Sequence, residues 1–123
     1  MIDILRKADI TPVLMTLPPL DSKRYFKWVT KGDESAEQNV LRFLGSEVEI
    51  FNWHNLYNET IAEVAVKTKT LLIDVKAEFL KYRDYSGFLC IDGIHPNMEG
   101  HSLIADVVLH FFKDNYNFLL QGK

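Results

Sequence analysis

The stretch Thr11-Pro12-Val13-Leu14-Met15-Thr16-Leu17, closed by Pro18-Pro19, decides the fold class. Its apolar side chains are nearly continuous rather than alternating, as in a strand that is buried on both faces of a parallel sheet. Pro12 fits the first residues of such a strand, where a missing N–H is tolerated. The stretch Thr70-Leu71-Leu72-Ile73 has the same character and predicts a second buried strand.

Helical periodicity surrounds both predicted strands. Ile2, Leu5 and Ala8 recur at helical spacing and stop at Asp9, as in the last turns of a helix. Further helices are predicted over residues 35–44, 51–65, 75–80 and 98–112. Their predicted end signals are a C-terminal cap at Gly45, an N-cap at Asp74 and an N-cap at Asn97.

Strands separated by helices predict parallel pairing through right-handed crossovers, and therefore an α/β fold. Two strands are fewer than the four to six or so that a typical sheet contains. Two explanations stay open at this stage. Either the sheet takes strands from another copy of the chain, or the chain is the C-terminal part of a larger domain whose N-terminal strands are missing.

Residues 20–33 have a mixed composition and are predicted to form a loop. This segment places the aromatic residues Tyr25, Phe26 and Trp28 among several lysine and arginine residues. Aromatic side chains on a loop line ligand sites well, so one interpretation is a flap over a substrate pocket, although it is not the preferred one. The alternative is that these rings only anchor the loop on the core.

Length and charge limit the classes of function. The chain has 123 residues, which we interpret as one domain over 1–123. Its net charge is −3, and it has no basic stripe for binding nucleic acid.

Cys90 is the only cysteine, so the chain has no internal disulfide and no multi-cysteine zinc site. No segment has the roughly 18 apolar residues of a membrane span. We expect a cytoplasmic protein, while a signal peptide in a missing N-terminal part stays open.

The segment Asp92-Gly93-Ile94-His95-Pro96 carries the candidate chemistry. Pro96 biases His95 away from the helical conformation, and Gly93 allows a tight turn behind Asp92. Asn97 then caps the last helix and fixes the downstream end of the loop. A histidine held in this way beside an aspartate has the composition of the base and orienting acid of a serine hydrolase.

Residues 88–108 resemble the last conserved block of the SGNH (GDSL-type) hydrolases, in which the aspartate and histidine of a Ser-His-Asp triad share one loop. Residues 10–19 look like the strand of that family that ends in a proline-rich loop, and residues 53–75 are similar to its following helix and strand. The resemblance implies a flavodoxin-like three-layer α/β/α sandwich. It also implies hydrolysis of carboxylic esters without a cofactor or metal, with His95 as base and Asp92 as orienting acid.

The sequence departs from this family at the nucleophile. The family's Gly-Asp-Ser block and the glycine and asparagine of its oxyanion hole have no counterpart here. The segment Gly32-Asp33-Glu34-Ser35 resembles the first block only in composition, because it follows no predicted strand. Ser22 is a remote surrogate. We therefore expect this chain to supply only the acid and base of the triad, and to be close to inactive by itself.

Several alternatives stay open from the sequence. His95 can be a structural loop residue that is satisfied by Asp92, or Asp92, His95 and His101 can be metal ligands. Cys90 is interpreted as a small buried apolar residue rather than a nucleophile. His54 and His110 are interpreted as helix-surface residues. The alternative function is a non-catalytic half-domain that self-associates through an exposed sheet edge and serves as a binding or structural module.

Overall fold

The computed structural model describes residues 1–116, in which helices and one two-stranded sheet alternate along the chain. The elements are α1 (Ile2–Lys7), β1 (Val13–Met15), α2 (Ser22–Thr30), α3 (Glu34–Leu44), α4 (Val48–Thr68), β2 (Leu71–Ile73), α5 (Val75–Phe79), a 3-10 helix (Tyr85–Phe88) and α6 (Met98–Asn115).

The two strands pair in parallel, with Val13 opposite Leu71 and Met15 opposite Ile73. The connection between them contains α4, which contacts both strands, and α6 contacts β2. A parallel pair needs a long crossover of this kind because the chain must return to the starting edge before the second strand. The predicted α/β class with parallel strands is therefore confirmed.

The prediction that both strands are buried on both faces is wrong. Met15 is 44% exposed and Leu71 is 38% exposed, whereas Ile73 is only 7% exposed. Each strand has one neighbour in the described part of the chain and so keeps one open edge. Apolar continuity in a sequence predicts burial only when other elements are present to cover both faces.

The core forms where β2, α5 and α6 meet. Ile73, Val75, Phe79 and Leu89 are buried there, and Phe79 packs edge-on against Phe88 with 5.7 Å between ring centroids. The apolar residues of α6 that pack on this cluster are Leu103, Ile104, Val107, Val108 and Phe111. The last helix, which directly follows the Asp92–His95 loop, is thus fixed to the centre of the structure.

Residues 20–33 contain a helix, contrary to the predicted loop. Asp21 caps α2 by accepting a hydrogen bond from the Arg24 amide at 3.0 Å, and the helix ends at Lys31 in the left-handed conformation. Phe26 is buried, as the anchoring alternative requires, whereas Trp28 is 53% exposed. The prediction failed because the N-cap at Asp21 was not recognised and because the helix surface is mostly polar.

The other predicted helix boundaries agree with the structure to within a few residues. The Asp74 carboxylate accepts a hydrogen bond from the Ala77 amide at 3.0 Å and caps α5. Gly45 ends α3 with a φ of 88°, and its amide donates to the Leu41 carbonyl. The caps at Gly45, Asp74 and Asn97 are therefore confirmed, while α4 and α6 extend beyond the predicted ranges.

A buried amide connects α4 to the end of β1. Asn58 is 3% exposed, and its Oδ1 accepts a hydrogen bond from the Leu17 amide at 2.7 Å while its Nδ2 donates to the Leu17 carbonyl at 3.2 Å. The side chain thereby satisfies both backbone polar groups of a residue just beyond the strand. The two hydrogen bonds join the buried Asn58 side chain to the chain at this point, where Leu17 itself is 41% exposed.

We expect Asn58→Ala to lower the free energy of unfolding by about 1 to 3 kcal/mol, because two hydrogen bonds between the buried amide and the Leu17 backbone are lost. Asn52→Ala on the same helix is the matched control, since Asn52 is exposed and, among residues 1–116, its side chain donates only to Glu49. Urea unfolding measures both. Equal destabilisation by the two substitutions would contradict the bridging role of Asn58.

Candidate active site

The Asp92–His95 loop lies between the 3-10 helix and α6 and is closed by backbone hydrogen bonds. The Cys90 amide donates to the His95 carbonyl at 2.7 Å, and the Asn97 amide donates to the Phe88 carbonyl at 2.9 Å. Leu89 and Pro96 form an isolated antiparallel bridge at the base of the loop. The loop is therefore a short hairpin whose ends are fixed relative to each other.

Asp92 and His95 are in direct contact inside this hairpin. The distance between His95 Nδ1 and Asp92 Oδ2 is 2.6 Å, and Asp92 Oδ1 accepts hydrogen bonds from the amides of Ile94 and His95 at 3.1 Å each. The Asp92 side chain is 15% exposed, whereas that of His95 is 76% exposed. The carboxylate thus sits at the base of the loop and the ring projects from it.

The surroundings of Asp92 favour its ionised form. The hydrogen bond to the His95 ring is the largest cause, and the Ile94 amide is the next, so that the pKa of Asp92 falls from 3.8 to about 2. When the ring carries its proton on Nδ1, this carboxylate accepts a hydrogen bond from the Nδ1–H group. The opposite nitrogen, Nε2, is then left to accept a proton from another group.

The downstream end of the loop is fixed by Asn97. Its Oδ1 accepts a hydrogen bond from the Gly100 amide at 3.0 Å, which caps α6, and its Nδ2 donates to the Gly87 carbonyl at 2.7 Å. A Cβ at Gly100 would collide with the Phe88 carbonyl oxygen. The absence of a side chain at Gly100 therefore allows α6 to begin against the 3-10 helix.

The other side of the loop lies against the first turn of α2. The Asp21 amide donates to the Gly93 carbonyl at 2.8 Å. Gly93 has a φ of 73°, and a Cβ at this position would lie 2.8 Å from Arg24 Cβ and 2.9 Å from Tyr25 N. This contact was not predicted from the sequence, because residues 20–33 were expected to form a loop. The capping residue Asp21 was the signal that could have revealed it.

In residues 1–116, no serine or threonine hydroxyl is hydrogen-bonded to the His95 ring. Ser35 lies in the first turn of α3, whose N-cap is Asp33, so the segment that resembles a Gly-Asp-Ser block is a helix start. Ser22 is the first residue of α2 and lines an open cavity of about 360 Å³ together with Leu20, Asp21, Lys23, Phe51, Arg83, Asp84, Tyr85 and Ser86.

The structure also bears on the metal-ligand interpretation and on Cys90. Within the described residues, no group of three or more His, Cys, Asp or Glu side chains is arranged to hold a metal ion, so Asp92, His95 and His101 do not form one. Cys90 is half-buried rather than buried, and its Sγ lies 3.4 Å from the Pro96 carbonyl oxygen.

The two remaining histidines differ from each other. His110 is exposed on α6, as predicted, and its ring lies 2.7 Å from the Asp106 carbonyl oxygen. His54 is half-buried, contrary to the surface position expected for it, and burial together with the nearby Lys76 ammonium lowers its pKa. Neither ring is hydrogen-bonded to the Asp92–His95 pair.

Comparison with known proteins adds no family assignment. The chain matches no protein-family model and no curated protein. The part of the chain that the structure describes also contains no helix with the length and apolar character needed to cross a bilayer. The case for a function therefore depends on the geometry of the loop and on the resemblance of its residues.

We expect Gly93→Ala to lower the free energy of unfolding by about 2 kcal/mol or more, because the new Cβ combines an unfavourable positive φ with close contacts to α2. Gly32→Ala is the control, since Gly32 has a φ of 69° but no atom within 4 Å of its Cβ position. Thermal and urea unfolding of both variants separate the two effects. Equal losses would show that the α2 contact does not matter.

The low pKa of Asp92 predicts a pH dependence of stability. The folded-state pKa lies below the unfolded value, so the stabilisation is complete above about pH 5 and is lost as the pH falls toward 2. We expect the difference in unfolding free energy between the wild type and Asp92→Asn to shrink over this range. His95→Ala should flatten the wild-type dependence, because the ring is its main cause. A difference that does not change with pH would contradict the ion pairing.

Proposed function

We propose that Asp92 and His95 are the acid and base of a carboxylic-ester hydrolase. One observation carries this proposal, namely the 2.6 Å contact of Asp92 Oδ2 with Nδ1 of a His95 ring that is 76% exposed. In a serine hydrolase the acid has this role, since it orients the ring and stabilises the imidazolium that forms during attack.

The proposed reaction is acyl transfer through a serine. His95 Nε2 takes the proton of a serine hydroxyl while the serine oxygen bonds to the ester carbonyl carbon, and the resulting tetrahedral intermediate expels the alcohol, which receives that proton. Water then attacks the acyl-enzyme with the same histidine as base and releases the carboxylic acid. Every proton transfer uses Nε2, and no cofactor or metal takes part.

The nucleophile belongs, in this proposal, to a part of the protein outside the present sequence. We propose that the chain is the C-terminal portion of an SGNH-type domain and that a Gly-Asp-Ser segment and further strands of a three-layer α/β/α sandwich complete it. The exposed apolar side chains Met15 and Leu71 support this interpretation, because they lie on the two strands of a sheet with two open edges.

The substrate is proposed to be a small-molecule ester. The open cavity lined by Leu20, Ser22 and Phe51 lies beside the loop, since Asp21 both lines it and donates to Gly93. Its mixture of apolar and charged side chains is compatible with either a lipid-like or a carbohydrate-like ester. A panel of acyl and alcohol groups, tested on the longer protein, distinguishes the two.

A second candidate function is a non-catalytic half-domain that completes its sheet with another copy and acts as a binding or structural module. The open edges of the two-stranded sheet in residues 1–116 favour it, because an unpaired strand edge is a template for pairing. Light scattering behind a sizing column tests this candidate. A dimer would support it, and a mass of one chain together with cooperative unfolding would contradict it.

We expect the 123-residue chain to hydrolyse p-nitrophenyl acetate at a rate close to that of buffer, because no serine hydroxyl of residues 1–116 is hydrogen-bonded to the proposed base. In the longer protein, if the upstream reading frame encodes Gly-Asp-Ser, His95→Ala should lower kcat by about 10⁶-fold and Asp92→Asn by about 10⁴-fold. His110→Ala is the control and should leave kcat unchanged. Undiminished turnover without His95, or unrelated upstream sequence, would refute the proposal.

A further inference from the structure

Arg24 joins α2 to the segment that leads into the candidate site. Its Nη1 donates hydrogen bonds to the carbonyl oxygens of Ser86 at 3.2 Å, Leu89 at 3.4 Å and Cys90 at 3.2 Å. Two of these residues follow the 3-10 helix directly, where the chain turns toward Asp92. Hydrogen bonds from a charged donor are stronger than those from a neutral one.

The carbonyl groups that Arg24 binds belong to the frame of the loop. The Cys90 carbonyl also accepts a hydrogen bond from the Gly93 amide at 2.9 Å, and the Cys90 amide donates to the His95 carbonyl at 2.7 Å. Both peptide groups of Cys90 therefore define the turn that contains Asp92. A guanidinium bound to one of these groups restricts the orientation of the whole turn.

The stem of Arg24 supports the same loop from its side. The position that a Cβ would take at Gly93 lies 2.8 Å from Arg24 Cβ, so the two backbones are in close contact. Asp21 contacts both partners. Its amide donates a hydrogen bond to the Gly93 carbonyl, and its Oδ2 lies 3.6 Å from Arg24 Nε. The side chains of Arg24 and Asp21 are 33% and 27% exposed, so neither is a freely solvated surface group.

We propose that Arg24 is a positioning residue that holds the Asp92–His95 pair in its reactive geometry through the backbone of residues 86–93. This inference rests on the proposed function and assigns a role to a residue outside the triad. In the described residues, Arg24 has no hydrogen bond or ion pair with Asp92 or His95 themselves. Its effect is transmitted by the carbonyls that it binds.

The pair itself provides a readout of this role. Asp92 owes its low pKa to the His95 ring and to the Ile94 amide, whose positions are set by the turn. If the turn loosens, these hydrogen bonds lengthen and the pKa of Asp92 rises toward its ordinary value. A residue that only stabilises the fold would change the unfolding free energy without changing the titration of Asp92 in the folded state.

The test compares Arg24→Met with wild type in the 123-residue chain, by NMR titration of the Asp92 carboxyl carbon and by amide hydrogen exchange. Arg24→Met keeps the apolar stem and removes every donor. We expect the pKa of Asp92 to rise by about 1 unit and the Ile94 and His95 amides to exchange about 10-fold faster. Arg24→Lys, which retains a cationic donor, should restore most of both values.

Arg83→Met is the matched control, because Arg83 is an exposed arginine just before the 3-10 helix and has no hydrogen bond or ion pair in residues 1–116. Arg83→Met should change neither the pKa of Asp92 nor the exchange rates of the Ile94 and His95 amides. An Asp92 titration that is unaltered in folded Arg24→Met would overturn the proposal. If Arg24→Met does not fold, Arg24→Gln, which retains a neutral donor, is measured instead. An unaltered pKa of Asp92 in that variant would overturn the proposal in the same way.

This experiment involves no ester turnover, so its outcome is independent of the proposed function. Arg24→Met can loosen the Asp92–His95 pair while the longer protein proves inactive toward esters. That combination would support the positioning role of Arg24 and refute the proposed esterase function. An active longer protein in which Arg24→Met leaves Asp92 unchanged would remove only the role of Arg24.

Discussion

The contact between Gly93 and the first turn of α2 joins the α/β part of the structure to the hairpin that carries the candidate site. On one side are the parallel strands and the helices that surround them, and on the other is a hairpin that carries Asp92 and His95. The hydrogen bond from the Asp21 amide to the Gly93 carbonyl joins them at 2.8 Å. Because the approach leaves no room for a Cβ at Gly93, the position of the hairpin depends on the absence of one side chain.

The hairpin places its two ionisable side chains in different environments. Asp92 is mostly covered and receives hydrogen bonds from two amides and one ring, whereas His95 is held by one nitrogen and is otherwise open to solvent. A carboxylate that is already satisfied resists protonation, so it serves as a permanent acceptor. A ring that is anchored on one side and free on the other is suited to proton transfer.

Local features of the sequence predicted much of this arrangement. The caps at Gly45, Asp74 and Asn97 could be read from single residues, and the parallel strands from two apolar runs. The pairing of Asp92 with His95 was predictable because Gly93 allows a tight turn behind Asp92 and Pro96 biases His95 away from the helical conformation. The exposure of Met15 was not, since burial depends on neighbours that a strand does not encode. The reach of Arg24 to carbonyls more than 60 residues away was equally hidden from any local pattern.

The most direct measurement is the tautomer of the neutral His95 ring, read from the two ring ¹⁵N shifts. If Asp92 orients the ring as an acid orients a catalytic base, the proton resides on Nδ1 and Nε2 is unprotonated. We expect the Nδ1–H form to predominate in the wild type and to decrease in Asp92→Asn. A ring that carries its proton mainly on Nε2, or whose tautomers are the same with and without the Asp92 carboxylate, would contradict the assignment of this pair as base and acid.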